Sequence, residues 1–401
     1  MSNVVVLVCG GANVAHVVAG LAASRENIEA RVLVLKEDEA EQWRKNLKDG
    51  DFVVQTTDVE GDPVEIKAKP RTVSKDPKRV VPGANVIILT MPWPDNNTYL
   101  EAISPHVDNN SIIVGITGQP GFEFGCLDIL KSKANKCTIV AFSDIPWACR
   151  IVEFGKKVKV LANKISVDVS VINGKSKPAH KPVELLQKIV GPQHEVEPRK
   201  NYLEPYLTNM SVIHPTLMYG KWKDWDGKPL DKKPPFYKEI GDKSAKLLQS
   251  IADEMFEIVK VMSENPKLDM WHVLHLYDWF LNEYADNISD TSSLLTCLST
   301  NSAFDGVCHP MNIAEDGTFV PNFQYRYLVE DVPNGLVMAK GLALIAKVKT
   351  PVVDEVLLWC QDKMGKEYLK DGKLTGKDIK ETGCPQRCGF KTVEDLVNVM
   401  F

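Results

Sequence analysis

The chain has 401 residues, 25% of them charged and 44% apolar, with a net charge of −5 and a pI near 6.0. That balance describes a globular protein long enough for two domains, and it disfavours nucleic acid or an acidic membrane surface as a partner. No apolar stretch approaches the ~20 residues needed to cross a bilayer; the longest, 336–348, is interrupted by Lys340, Gly341 and Lys347. No basic residue precedes the first apolar run, so no secretory signal is expected. The nine scattered cysteines read as reduced thiols of a cytoplasmic protein. No metal is expected. Cys384 and Cys388 have no histidine nearby, and His272 and His275, which could share a helix face, lack a third ligand of recognisable spacing.

The run from Asn3 to Cys9 is apolar and β-branched, as in a strand buried on both faces. Gly10 to His16 form a glycine-rich turn, and Val17 to Ser24 continue as a helix. Strand, turn and helix in this order begin a dinucleotide-binding βαβ unit. Unsatisfied N–H groups and the helix dipole favour a pyrophosphate at such a helix start. Gly10, Gly11, Ala12, Asn13, Val14 and Ala15 are therefore the expected cofactor cradle. Aligned as G-x-G-x-x-A, the turn has Ala12 where glycine is usual, and a left-handed backbone there would cost alanine about 1 kcal/mol. An S-adenosylmethionine-binding fold, or a tight turn without a ligand, begins in the same way.

A second strand is expected over 31–35 and a helix over 39–47. Glu37 and Asp38 stand about where NAD enzymes place an acidic residue on the adenosine ribose. Lys36 could instead attract a 2′-phosphate, and the acidic cluster also suits a first helical turn by dipole alone. Residues 51–80 read as an inserted hairpin turning at 60–63. Strands are expected over 85–90, 111–116 and 138–142, each ending in turn residues. Ligands bind beyond the carboxyl ends of such strands, so Thr90, Pro92 and Trp93 form a candidate cofactor wall. Antiparallel strands over 156–161 and 166–172 follow, and 185–190 close the first domain. Residues 191–198 read as a linker. The expected domains are an α/β Rossmann-type domain, 1–198, and a mostly helical domain, 199–401, with helices over 203–213, 237–265, 268–284 and 336–347.

His214 precedes Pro215, so it is expected at a break after the helix 203–213, its imidazole aimed into a cleft. A core histidine bonded to a freed carbonyl is the equally weighted alternative. Asp331 is placed to cap the helix beginning at Pro333 or to orient a histidine. Arg326 offers a fork suited to a carboxylate, or a surface ion pair with Glu330.

Taken together, the whole chain resembles the opine dehydrogenases of marine invertebrates, the octopine, alanopine, strombine and tauropine enzymes. The resemblance rests on Cys9-Gly10-Gly11 with Asn13 and Ala15-His16, 121–124, Pro146 to Arg150, Val212 to Pro215, Arg326-Tyr327-Leu328 with Glu330-Asp331, 365–369, and 384–387. It implies an NADH-binding Rossmann domain and a helical substrate domain. It implies reductive condensation of pyruvate with an amino acid to an N-(1-carboxyethyl) amino acid, reoxidising NADH in anaerobic glycolysis, by a monomer. His214 would be the acid/base, Asp331 its partner and Arg326 the carboxylate clamp, with Gln119 on the 2-oxo acid. Ala12 and Val14 depart from the glycines often found there. Asp144 departs from a hydroxyl residue and would repel pyruvate if it pointed inward. Thr208, Asn209 and Met210, near the histidine, are neutral, so a small amine such as alanine, glycine, β-alanine or taurine is expected rather than arginine. A 2-hydroxy-acid dehydrogenase and a non-catalytic dinucleotide sensor are the alternatives.

Overall fold

The computed structural model describes residues 4–48, 50–92, 95–118, 120–208 and 211–400. Two compact units emerge: one running to Pro205 and taking back the chain from Asn398, the other Tyr206–Val397. The division expected at 198/199 thus falls after Pro205, for a local reason. Arg199 bonds Asp168 at 2.5 Å, and Tyr202 packs edge-on against Phe124, which ties this segment to the first unit.

The N-terminal apolar run is β1 (Val4–Cys9), followed by α1 (Asn13–Ser24), β2 (Ile28–Leu33) and α2 (Glu37–Lys48). Helix α1 begins four residues earlier than expected, inside the glycine-rich stretch. Next come β3 (Val53–Thr57), β4 (Pro63–Lys67), β5 (Thr72–Ser74), α3 (Pro77–Val80), β6 (Val86–Leu89) and α4 (Asp95–Ile103). Then follow β7 (Ile112–Gly115), α5 (Phe122–Leu130), β8 (Thr138–Phe142), β9 (Trp147–Glu153), β10 (Lys157–Asn163), β11 (Ser166–Ile172), α6 (Pro182–Val190) and β12 (Glu195–Pro198).

One sheet has the order β12-β11-β8-β7-β6-β1-β2-β5. Its strands from β5 to β8 are all parallel. Among their central members β6 and β7 are buried along their whole length and β1 everywhere but at Val5, which is why they read as unbroken apolar runs. Strand order reverses direction between β1 and β6, so the crevice at their carboxyl ends is the ligand position of a doubly wound sheet. The expected linker 191–198 instead contributes β12, paired in parallel with β11. Pro198 is tolerated because it ends an edge strand.

The expected hairpin forms as β3 and β4, but it is half of a second sheet, β4-β3-β10-β9. Strand β10 pairs with β9, not with β11, which joins the large sheet beside β8. The small sheet presses on α1. A Cβ at Gly20 would lie 2.3 Å from Val54 Cγ2, so glycine is what permits the approach.

Inside the first unit Glu123 is fully buried, on the first turn of α5. Its Oε1 accepts from Ser170 Oγ, while Oε2 has no partner. Burial raises its pKa from 4.5 to about 8. The folded state therefore holds a proton that the unfolded chain has released, and stability falls as pH rises between those values. Glu123→Gln, which keeps the shape without the charge, should flatten that slope, gaining on the parent by roughly 1 kcal/mol per pH unit. Denaturant melts at pH 5 to 8 check this; parallel curves for the two proteins would mean an ordinary carboxylate.

The second unit holds α8 (Ile213–Trp222), following α7 (Glu204–Thr208) in the chain, and then α9 (Asp242–Ser263), α10 (Leu276–Glu283), α11 (Leu294–Ser299), α12 (Arg326–Val329), a π-helical turn (Val332–Leu336), α13 (Val337–Ala346) and α14 (Pro351–Met364). Helix α9 starts five residues later than the apolar pattern suggested. Of 268–284 only α10 is helical, and His275 caps it, accepting from Tyr277 N at 3.3 Å; His272 lies outside it. Lys340, expected to interrupt an apolar stretch, is buried and paired with Asp354 at 2.6 Å. Among the described residues no helix is long and apolar enough to cross a membrane, and no group of three or more His, Cys, Asp or Glu side chains is placed to hold a metal ion.

Candidate active site

In the first unit, Gly10 leaves β1 with φ +122°. A Cβ there would meet Thr90 Oγ1 at 2.6 Å. Thr90 follows β6 and donates to Cys9 O at 2.8 Å, stitching the two strand ends together at the switch point. Ala12 is extended, φ −86° and ψ −172°, so alanine carries no backbone penalty there. Asn13 Oδ1 accepts from Ile151 N at 2.8 Å. Val14 and Ala15 are buried in the core and offer a ligand only their backbone N–H groups, which lack intrahelical acceptors in a first turn. His16, also buried, bridges Ala12 O at 3.0 Å and Gly155 N at 2.8 Å and stacks on Trp43. Gly155 N–H can only donate, so Nε2 is the acceptor and Nδ1 carries the proton. Burial lowers the pKa of this ring to about 4.

Gly10, Gly11, Ala12 and Thr90 line a cavity of about 340 Å³ together with Lys36, Glu39 and Pro92; Asn13, Val14 and Ala15 are not on its wall. Glu37 is not on its wall; it pairs with Lys75. The acidic group that reaches the turn is Glu39, whose Oε2 would lie 2.6 Å from a Cβ at Gly11. Glu39 also pairs with Lys36 at 3.2 Å. Asp144, after β8, is held by Lys164 and accepts from Ile145 N at 2.7 Å, so its charge is balanced. Gln119, Trp93, Asn209 and Met210 lie outside the described residues.

In the second unit, His214 lies in the first turn of a helix, after the break that follows α7. It is the second residue of α8, and Pro215 the third. A first turn tolerates proline because an N–H there has no intrahelical acceptor to lose. Gly335, in the π-helical turn, lies so close to Ser211 that a Cβ would sit 2.2 Å from its carbonyl oxygen. That contact brings the start of the turn alongside α8. Asp331 makes no side-chain capping bond. Its Oδ2 instead accepts from His214 Nδ1 at 2.7 Å. His214 Nε2 lies 3.0 Å from the Tyr237 hydroxyl, and the ring stacks on Tyr327 at 3.9 Å. Since the carboxylate can only accept, Nδ1 carries the proton, and in the neutral imidazole the Tyr237 O–H donates to Nε2. Burial, then the neighbouring Tyr327, holds the Tyr237 hydroxyl far above its ordinary pKa, so it remains a donor. Arg326, the first residue of α12, is exposed and forms no ion pair with a described residue. The alternative surface pair with Glu330 does not form; the Glu330 N–H bonds the Arg326 carbonyl, at 3.0 Å.

Tyr237 and Glu39 carried no signal in the sequence reading: Tyr237 fell at the start of an expected helix, and Glu39 in a charged first turn. Tyr237→Phe removes one hydrogen bond to the neutral imidazole. It should lower kcat about fivefold and alter the pH profile of kcat, which reads the hydrogen bond that Nε2 has lost. Steady-state rates across pH test this; a superimposable profile would reduce Tyr237 to packing.

A doubly wound sheet with a glycine turn at its switch point, and a helical unit bearing an imidazole–carboxylate pair, define a two-domain dinucleotide-dependent dehydrogenase. A family model described as NAD/NADP octopine/nopaline dehydrogenase, alpha-helical domain, matches residues 198–364. The chain is 51% identical to the opine dehydrogenase of Haliotis discus hannai, over 99% of both chains. It is 42% identical to the tauropine dehydrogenase of Arabella iricolor, over 98% of this chain and 100% of that one. A solved octopine dehydrogenase superposes with a TM-score of 0.93 at 41% identity, covering 98% of each chain. The chain belongs to the opine dehydrogenase family.

Proposed function

We propose that the protein condenses pyruvate with a small amino acid and reduces the product at the expense of NADH. The observation that carries this is the His214–Asp331 pair at 2.7 Å, with Nε2 held by a neutral hydroxyl. The related octopine dehydrogenase has been solved with NADH and L-arginine and with NADH and pyruvate. The cradle fits a dinucleotide: Gly10 and Gly11 stand where a Cβ would collide, beside the free N–H groups of α1. When bound, NADH supplies the hydride that reduces the imine carbon. Glu39 at the cavity wall, with Lys36 already paired to it, favours a free ribose hydroxyl over a 2′-phosphate.

The amine attacks the pyruvate carbonyl carbon, and water leaves to give the imine. His214 takes the proton released by the attacking amine at Nε2 and returns one to the departing oxygen. Asp331 holds the tautomer and stabilises the imidazolium. Arg326, exposed and without an ion-pair partner among the described residues, binds a substrate carboxylate at two points. Gln119 contacts the oxo acid and Met210 the amine side. Lys164 removes the repulsion that Asp144 would exert on pyruvate. Within the helical unit the walls around His214 are aromatic, from Phe236, Tyr237 and Tyr327, and Asp331 is committed to the imidazole. With Asp331 committed, that carboxylate does not meet a guanidinium, so alanine, glycine, β-alanine or taurine is the proposed amine. The first unit would bind the cofactor and the second the substrates. The free cysteines fit a monomer of the reducing cytoplasm that regenerates NAD in anaerobic glycolysis.

The test is a panel of amino acids with pyruvate, following NADH absorbance. Consumption with the small amines, and weaker consumption with NADPH, is expected. Preference for arginine would overturn the amine assignment, and turnover of pyruvate without an amine would overturn the condensation.

A further inference from the structure

A second cavity, about 400 Å³, lies in the helical unit behind Phe236. The Phe236 ring is shared: its centroid is 5.7 Å from that of His214 on one side and 4.5 Å from that of His309 on the other. The cavity floor is built of hydrogen-bond donors. Helix α9 starts here, and its N-cap, Gly241, offers no side-chain cap. The N–H groups of Asp242, Lys243 and Ser244 therefore have no intrahelical acceptor. Ser244 is 8% exposed. Its hydroxyl has no partner among the described residues, and it sits over Gly220, where a Cβ would come within 2.4 Å of Oγ. His309 is 4% exposed. The Trp222 indole N–H donates to its Nδ1 at 3.1 Å, so the imidazole proton is on Nε2, a second donor without a described partner. Burial and the nearby Lys221 keep this ring neutral.

We propose that this cavity is a binding site for a small oxyanion, a phosphate or carboxylate group, separate from the His214 centre. Two independent features converge on it. One is the uncapped start of a 22-residue helix, whose dipole favours a negative group. The other is a pair of donors on the same wall, the Ser244 hydroxyl and the His309 Nε2–H, each on a residue more than nine-tenths buried and without a hydrogen-bond partner among the described residues. Lys221 and Lys243 stand on the exposed rim without ion-pair partners among the described residues. Glu239 and Asp242 share that rim, so affinity comes from the donor floor more than from net charge. The floor supplies N–H and O–H groups in several directions, which suits an acceptor-only ligand.

The test uses the whole protein with saturating NADH, so that the glycine turn does not compete for the probe. Inorganic phosphate and, separately, acetate are titrated while amide hydrogen exchange is followed by mass spectrometry. Saturable protection of residues 241–246 is expected with at least one of the two, and which one protects identifies the oxyanion read. Ser244→Ala should weaken that binding roughly fivefold. Lys221→Gln with Lys243→Gln, exposed changes that leave the fold intact, should weaken it and reduce its salt dependence. Absence of saturable protection with either anion would overturn the proposal. So would protection that survives unchanged in both the serine and the lysine variants.

Discussion

Replacing His214 by alanine should lower turnover by roughly 10²–10⁴-fold, the usual range for a positioned acid/base group, while NADH affinity stays unchanged. The imidazole is oriented from three sides: by Asp331 at Nδ1, by Tyr237 at Nε2 and by the Tyr327 ring face. Such an arrangement specifies which nitrogen is available to a substrate, which a packing histidine does not require. Asp331→Asn keeps the size but loses the charge that stabilises the imidazolium, and its amide can donate to Nδ1, selecting the wrong tautomer. It should therefore also cost turnover heavily, with a displaced pH profile. Steady-state kinetics beside melting temperatures decide the matter. If both variants melt lower but keep their activity per folded molecule, His214 is structural and the mechanism fails.

Gly10→Ala should have the second-largest effect, on cofactor binding. The added methyl forces a side chain into φ +122°, and it meets Thr90 Oγ1 at 2.6 Å. Strain of this kind costs on the order of 1–3 kcal/mol, and relief by shifting the turn would disturb the backbone that faces the pyrophosphate. NADH affinity measured by fluorescence should fall about tenfold or more, and the melting temperature should drop. Pairing Gly10→Ala with Thr90→Ala removes the collision but not the backbone strain, so it should recover only part of the loss. Normal NADH binding by Gly10→Ala would place the dinucleotide elsewhere.

The N-terminal half was legible because buried parallel strands leave continuous apolar runs and end in recognisable turns. Gly10, Gly11, Ala12 and Thr90 of the expected cradle line one cavity, and the extended backbone of Ala12 removes the penalty that a left-handed one would carry. The acidic cluster at the start of α2 was visible, yet which carboxylate reaches the cavity depends on helix phase, and that phase selects Glu39 over Glu37. The expected linker was a strand because Glu195–Pro198 is polar on its exposed positions, as an edge strand can be. In the helical half, His214, Asp331 and Arg326 stood out through chemistry and resemblance. Where the helices begin did not: a proline in the first turn and one just after a helix look alike in sequence. Tyr237 was illegible because nothing local marks a loop residue that folds back on an imidazole.

The first turn of α1 is not finished by its own neighbourhood. Asn13 takes its bond from Ile151, 138 residues on, and His16 from Gly155, 139 residues on. A nascent chain that has emerged only through α2 can build the strand and the helix, but it cannot lock the turn between them. The cradle therefore matures late in synthesis, once β9 and the bend after it have docked, and contacts of such long sequence separation are slow to form. A chain truncated before Gly155 would retain every residue of the glycine turn and still lack the shape that receives the cofactor.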